Sequence, residues 1–203
     1  MAWALDVPGL TAEPYRDTRG PGLSGVRQLL RRVARRRDAK GWRDQAILRL
    51  LFDLGLRRGE AAGLDRADLD LEAGTLDVLG KGRTAMVRLT LPEATPAALA
   101  AWLEVRGGDS GPLFLRLDRA SRAGRLTGTS IYRMVRATGS AVGVTVRPHG
   151  LRHTAITAAL DLTGDLRAVQ RFSRHRDVRV LSRYDDNRAD LVGDVALRVA
   201  GAV

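Results

Sequence analysis

Residues 42–60 read WRDQAILRLLFDLGLRRGE. Ile47, Leu48, Leu50, Leu51 and Leu54 recur at helical spacing and make a broad apolar stripe, so the segment predicts a core helix over about 42–56. Gly55 closes it in the manner of a helix C-cap. The polar run Arg57-Arg58-Gly59-Glu60 therefore starts just after a buried helix, where side chains are held in place and can still face a cleft.

Upstream, Leu23, Val26, Leu29, Leu30 and Val33 predict a helix over 23–37. Arginines, among them Arg27, Arg31 and Arg35, fill its other positions, which suits either a solvated basic face or contact with DNA phosphates. Residues 1–22 carry Pro8, Gly9, Pro14, Gly20, Pro21 and Gly22 and read as a linker or arm. Downstream, Thr75–Leu79 and Ala85–Leu91 are β-prone runs around Gly80-Lys81-Gly82-Arg83, a hairpin turn. Helical patterns follow over 92–106, from Thr127 or Thr129 to Val142, over about 150–162, and through Leu166, Val169 and Phe172. A short helix near 178–183 leads to Tyr184. The apolar face of Asp190–Val199 suits a terminal helix that folds back on its own core or docks on a neighbouring subunit. The fold class expected is mainly α with one small antiparallel β-sheet (α+β).

With 203 residues, 44% of them hydrophobic, the chain can bury a real core. No apolar run approaches the roughly 18 residues that cross a bilayer, and no basic stretch precedes an apolar one at the N-terminus, so neither a membrane anchor nor a signal peptide is read. Zero cysteines exclude disulfides and thiolate metal sites, and the expected location is the cytoplasm, in association with the nucleoid. A net charge of +11 points to a polyanionic partner, with nucleic acid first among those a soluble protein meets. Of 34 basic residues only Lys40 and Lys81 are lysine. An ammonium can give up a proton where a guanidinium is a poor donor, which singles out Lys81 as a candidate acid.

Several motifs fail on inspection. Gly80-Lys81 is followed by Gly82 and lacks the leading glycine of a phosphate-binding loop. Asp68, Asp70 and Glu72 alternate like a calcium loop, but Ala73 and Leu79 occupy its glycine and glutamate positions. His149 and His153 have metalloprotease spacing, yet Leu151 and Arg152 stand between them and put a cation beside any metal. No metal site is assigned.

What remains is an ordered set: Arg57, Lys81, His149, Arg152, His175 and Tyr184. Arginine offers a permanently charged fork matched to phosphate oxygens. Histidine exchanges a proton near neutrality, and a tyrosine hydroxyl is a nucleophile once deprotonated. Lys81 follows Arg57 by 24 residues, His149-Gly150-Leu151-Arg152-His153 comes next, and nine residues separate His175 from Tyr184. In this order and spacing the chain resembles the catalytic domain of the tyrosine site-specific recombinases, the phage integrase family, over about residues 25–199.

That resemblance implies a tyrosine-recombinase catalytic-domain-like fold over 23–203 with a C-terminal helix, and absence of the N-terminal core-binding domain such proteins usually carry. It implies an enzyme that cleaves and rejoins double-stranded DNA through a 3′-phosphotyrosine, without metal, ATP or other cofactor, as a homo-tetramer on DNA. Tyr184 would be the nucleophile, Arg57 and Arg152 the clamps on the non-bridging oxygens, His149 the proton acceptor, His175 a phosphate hydrogen-bonder and Lys81 the acid. Glu60 would orient one of the cations, and Arg27, Arg31, Arg35 and Arg83 would touch DNA. His153 reads as structural. A departure is Ser173-Arg174-His175, where the family commonly has Leu-Gly-His. Rival readings are a type IB topoisomerase-like enzyme and a non-catalytic DNA-binding remnant.

Overall fold

A computed structural model of the chain describes residues 20–80, 85–117, 124–181, 184 and 199–201. The hub is helix α2, Ala39–Asp53, and the reason it forms is legible at both ends. Asp38 caps the start, its carboxylate accepting from the Gly41 N–H at 2.7 Å. Ala46, Ile47, Leu48, Leu50 and Leu51 are almost wholly buried along one side. At the far end Gly55 turns the chain with φ of 55°, a left-handed conformation that suits glycine. A side chain there would also press on the Phe172 ring, 3.3 Å from where its Cβ would stand.

Helix α1, Gly22–Ala34, packs on α2 through Val26, Leu29 and Val33 and leaves its arginines outward. Arg57 sits at the entry of α3, Arg58–Gly63, a six-residue helix with too few apolar positions to announce itself in the sequence. A three-stranded antiparallel sheet follows in the order β1, Leu69–Asp70, β2, Thr75–Leu79, and β3, Met86–Thr90. Its register sets Leu76 opposite Leu89 and Val78 opposite Val87, with Asp77 and Arg88 joined across the strands at 2.7 Å. The two-residue β1 went unread because alternation needs more residues than it has. Asp68 and Asp70, set aside above as a calcium loop, serve the turns: they accept from the backbone N–H groups of Asp65 and Ala73, each at 2.8 Å. The β2–β3 connection with Lys81 and Arg83 lies outside the described residues, as do 1–19 of the arm, 182–183 of the expected short helix and 190–198 of the expected terminal helix.

Helix α4, Ala94–Arg106, lies against α2, and Thr95 ties the two together by donating to Asp53 at 2.8 Å. Trp102, fully buried, donates its indole N–H to the Leu113 carbonyl at 2.9 Å and stacks on Phe114. Leu113–Leu115, expected as a short strand or extended segment, is instead a bent stretch, with Leu113 and Phe114 buried between isolated bridges at Pro112 and Leu115. Helix α5, Gly128–Ser140, is capped by Thr127, of the two threonines considered, and turns Ile131 and Val135 inward.

Helix α6, Pro148–Thr163, begins two residues earlier than expected, because proline suits a first helical turn. It joins two apolar clusters. Leu151 belongs to the large core around α2; Ile156 and Leu160 belong to a smaller one with Val169, Leu181 and Tyr184. Helix α7, Leu166–Ser173, and a 3₁₀ turn at Val178–Leu181 complete that second cluster. Trp102→Ala should lower unfolding free energy by about 3–5 kcal/mol, since it removes a large buried ring and orphans the Leu113 carbonyl; urea denaturation would measure the loss.

Candidate functional site

The first turns of α6 set the pattern. His149 and Arg152 are three residues apart and His153 four from His149, so all three project from neighbouring positions of one helical face. Across from them, the segment after α2 presents Arg57. A cleft of about 380 Å³ opens between, walled by Arg57, Arg58, Tyr132, Arg147, His149 and Arg152 among others. Arg58 lies over the Tyr132 ring, its guanidinium carbon 5.9 Å from the centroid.

Arg152 is 2% exposed, a rare condition for an arginine. Its guanidinium donates to the Gly55 carbonyl at the end of α2 and to the Ser173 carbonyl at the end of α7. One nitrogen also stands 3.4 Å from Nε2 of His175. Burial, then the nearby charges of Arg57 and Arg174, push the Arg152 pKa down to about 10, so it stays protonated at neutral pH.

Arg57 is held differently. Its Nη1 donates to Glu60 Oε1 at 2.8 Å, while its backbone N–H donates to Oε2 at 2.8 Å, capping α3 from the glutamate's own position. Glu60 also takes a hydrogen bond from Arg174 at 3.1 Å. Burial works to raise the Glu60 pKa, but the Arg57 N–H and the two guanidiniums outweigh it and the net shift is downward. Glu60 is therefore ionised, one carboxylate between two cations with a third, Arg152, close by.

The histidines are conditioned by this surplus. His149 is exposed to solvent at the cleft rim yet has protein on its other sides; that desolvation, then Arg152 and Arg57, lowers its pKa. Half-buried His175 is pushed down to about 4, first by desolvation and then by Arg152, Arg57, Arg174 and His149. Ser173 donates its hydroxyl proton to the Gln170 carbonyl at 3.2 Å, so its oxygen accepts from Nδ1 of His175 at 3.0 Å. This assigns the proton of the neutral ring to Nδ1 and turns the Nε2 lone pair toward Arg152.

Tyr184 is buried beside both remaining imidazoles. Its ring centroid is 4.7 Å from that of His153 and 5.9 Å from that of His175. The structure thus gathers Arg57, Glu60, His149, Arg152, His175 and Tyr184, and every histidine of the chain lies in this region. Lys81 and Arg83 fall outside the described residues. Arg27, Arg31 and Arg35 are exposed on or at the end of α1; the first two border a separate depression with Arg49 and Phe52, not the Arg57–Arg152 cleft. Sequence reasoning missed Arg174 and Ser173 as members of the site and the Arg58–Tyr132 wall. It read His153 as structural, and here that ring packs against Tyr184. The signal available for Arg174 was its own oddity, a bulky cation where a glycine was expected.

A cleft walled by guanidiniums and His149, with the His175 ring beside Arg152, is suited to a phosphate ester. The chain matches the model of the phage integrase family over residues 24–190 and belongs to that family. It is 42% identical over 188 residues to a tyrosine recombinase of Synechocystis sp., covering 90% of this chain and 60% of that protein. It is 38% identical over 143 residues to the tyrosine recombinase XerC of Pseudomonas putida, covering 70% and 47%. The chain thus spans about 60% of the Synechocystis relative's length. Among solved structures it superposes on the XerA recombinase with a TM-score of 0.74 at 25% identity, covering 89% of this chain and 65% of that one. The XerH recombinase bound to its palindromic difH substrate shares the fold, with a TM-score of 0.70 at 22% identity and coverage of 89% and 53%. Among the described residues no helix is long and apolar enough to cross a membrane.

His175 has a folded pKa below the histidine value of 6.5, so the unfolded chain takes up its proton first as pH falls. Its contribution to stability is complete above about 6.5 and is lost between there and about 4. His175→Gln should therefore lose less stability than the wild type between pH 7 and pH 4.5, as read from urea midpoints.

Proposed function

We propose that this chain carries the catalytic site of a site-specific DNA recombinase, which cuts and rejoins double-stranded DNA through a covalent 3′-phosphotyrosine. The observation that carries the reading is that four separate segments bring Arg57, His149 and Arg152 to one cleft, set His175 beside Arg152, and pack Tyr184 against His175. Relatives named tyrosine recombinases, and one solved on its DNA substrate in a post-cleavage complex, support it.

In this reading the Tyr184 oxygen attacks the scissile phosphorus in line with the bond to the 5′-oxygen. A phenol with an ordinary pKa near 10 is protonated at neutral pH and needs a base. His149, depressed below its usual value, is neutral and free to accept that proton. Arg57 and Arg152 take the non-bridging oxygens, whose charge grows in the pentacoordinate transition state. Arg152 arrives already desolvated and fixed by two carbonyls, so little reorganisation is needed as that charge develops. The phosphodiester's own charge opposes the depression at His175, which takes up a proton and becomes a donor to the phosphate. Lys81 protonates the departing 5′-oxygen. The phosphotyrosine keeps the energy of the broken ester, and attack by the 5′-hydroxyl of a second strand reverses each transfer. Four protomers on two duplexes, with Arg27, Arg31, Arg35 and Arg83 among the contacts to phosphates, complete the proposal.

Tyr184→Phe should bind DNA with unchanged affinity and form no covalent adduct on a nicked suicide substrate, scored by gel shift under denaturing conditions. Adduct formation by that variant at the wild-type level would refute the assignment of nucleophile. Lys81→Arg should slow cleavage, and a 5′-bridging phosphorothiolate, whose sulfur leaves without a proton, should restore the rate. No restoration would remove Lys81 from the role of acid.

A further inference from the structure

Arg174 is the sole non-glycine residue with positive φ among the described residues, at 55°. L side chains rarely adopt that conformation, and a helix end of this kind asks for glycine. The backbone gives no reason for an arginine here; the side chain does. It is almost wholly buried, and Nη1 donates to the Leu54 and Phe172 carbonyls, both at 3.0 Å. Nη2 donates to the Gly55 carbonyl and to Glu60 Oε2, both at 3.1 Å.

Two of these partners lead directly to the cations of the cleft. Glu60 holds Arg57 with its other oxygen at 2.8 Å. The Gly55 carbonyl also receives Arg152, so both its lone pairs are taken by guanidiniums. We propose that Arg174 is a positioning residue for the cleavage reaction, setting Arg57 through Glu60 and Arg152 through the carbonyl they share. This rests on the functional reading above and extends it to a residue that does not line the cleft. Without Arg174, Glu60 Oε2 keeps only the Arg57 backbone N–H, the carboxylate can rotate, and Arg57 moves with it. Gly55 then accepts from Arg152 alone, and its carbonyl, no longer held from the other side, can turn and draw that guanidinium with it.

Arg174→Gly suits the backbone and leaves a buried, anion-edged hole of guanidinium shape. Single-turnover adduct formation on the suicide substrate should slow by about 10–100-fold, the scale of a misplaced catalytic group, with DNA affinity unchanged. Millimolar guanidinium should restore much of the rate and equal potassium chloride should not. Because Glu60 carries one of the two routes by which Arg174 acts, the loss in the double variant E60Q/R174G should fall short of the product of the two single losses. Wild-type rates in R174G, or losses in the two single variants that multiply in the double, would overturn the proposal. Should R174G fail to show a cooperative thermal transition, R174M, which keeps length and loses the donors, replaces it in the same comparison. Failure of both to fold would make Arg174 a staple of the fold and end the positioning role. A wild-type chain that forms no adduct defeats the functional reading itself, whereas a reactive wild type with an equally reactive R174G defeats only this inference.

Discussion

Helix α2 ends with carbonyl groups that have no intrahelical partner, and two buried guanidiniums meet them. Leu54 and Gly55 accept from Arg174, and Gly55 accepts from Arg152 as well. A helix C-terminus carries partial negative charge and favours cations, so this is one of the few apolar surroundings in which an arginine can be kept. The rest of the site depends on that arrangement. Arg152 comes from α6 and Arg174 follows α7, so the end of α2 serves as the point where the smaller apolar cluster is fastened to the larger.

The electrostatic consequence is an unbalanced interior. Arg57, Arg152 and Arg174 surround one shared carboxylate, Glu60, and His175 responds by giving up its proton until about pH 4. Burial of cations without equal anions costs stability, and such imbalance is kept where a charged ligand offsets it. In the function proposed above, a phosphodiester supplies the missing negative charge beside donors that are already oriented. Stability and binding thus pull in opposite directions at the same atoms. This accounts for a half-buried histidine held neutral against three guanidiniums.

Recognition from sequence worked where the information is local or where order along the chain is distinctive. The stripe through Ile47, Leu48, Leu50 and Leu51 gave away the central helix, and Gly55 its end. The spacing of His149, Arg152 and His153 placed them on one helical face, because a helix converts sequence separation into direction with little help from its surroundings. The order Arg57, Lys81, His149, Arg152, His175, Tyr184 carried the family resemblance, and the family match agrees with it. Short elements were illegible for the opposite reason: two residues of β1 and six of α3 are held by their neighbours rather than by their own pattern.

By itself, then, the sequence determined which chemical groups are present, the mainly helical class with its small sheet, and the direction of each group on its own element. The tertiary structure alone decided that Arg174 would take a left-handed conformation to reach Glu60, and that Tyr184 would pack against His153 and His175. It also decided that Ser173 would fix the tautomer of His175. The physical reason is one of range. Helical register is set by residues a turn apart, whereas desolvation and the summed field of several charges depend on segments more than a hundred residues apart meeting at the same few ångströms.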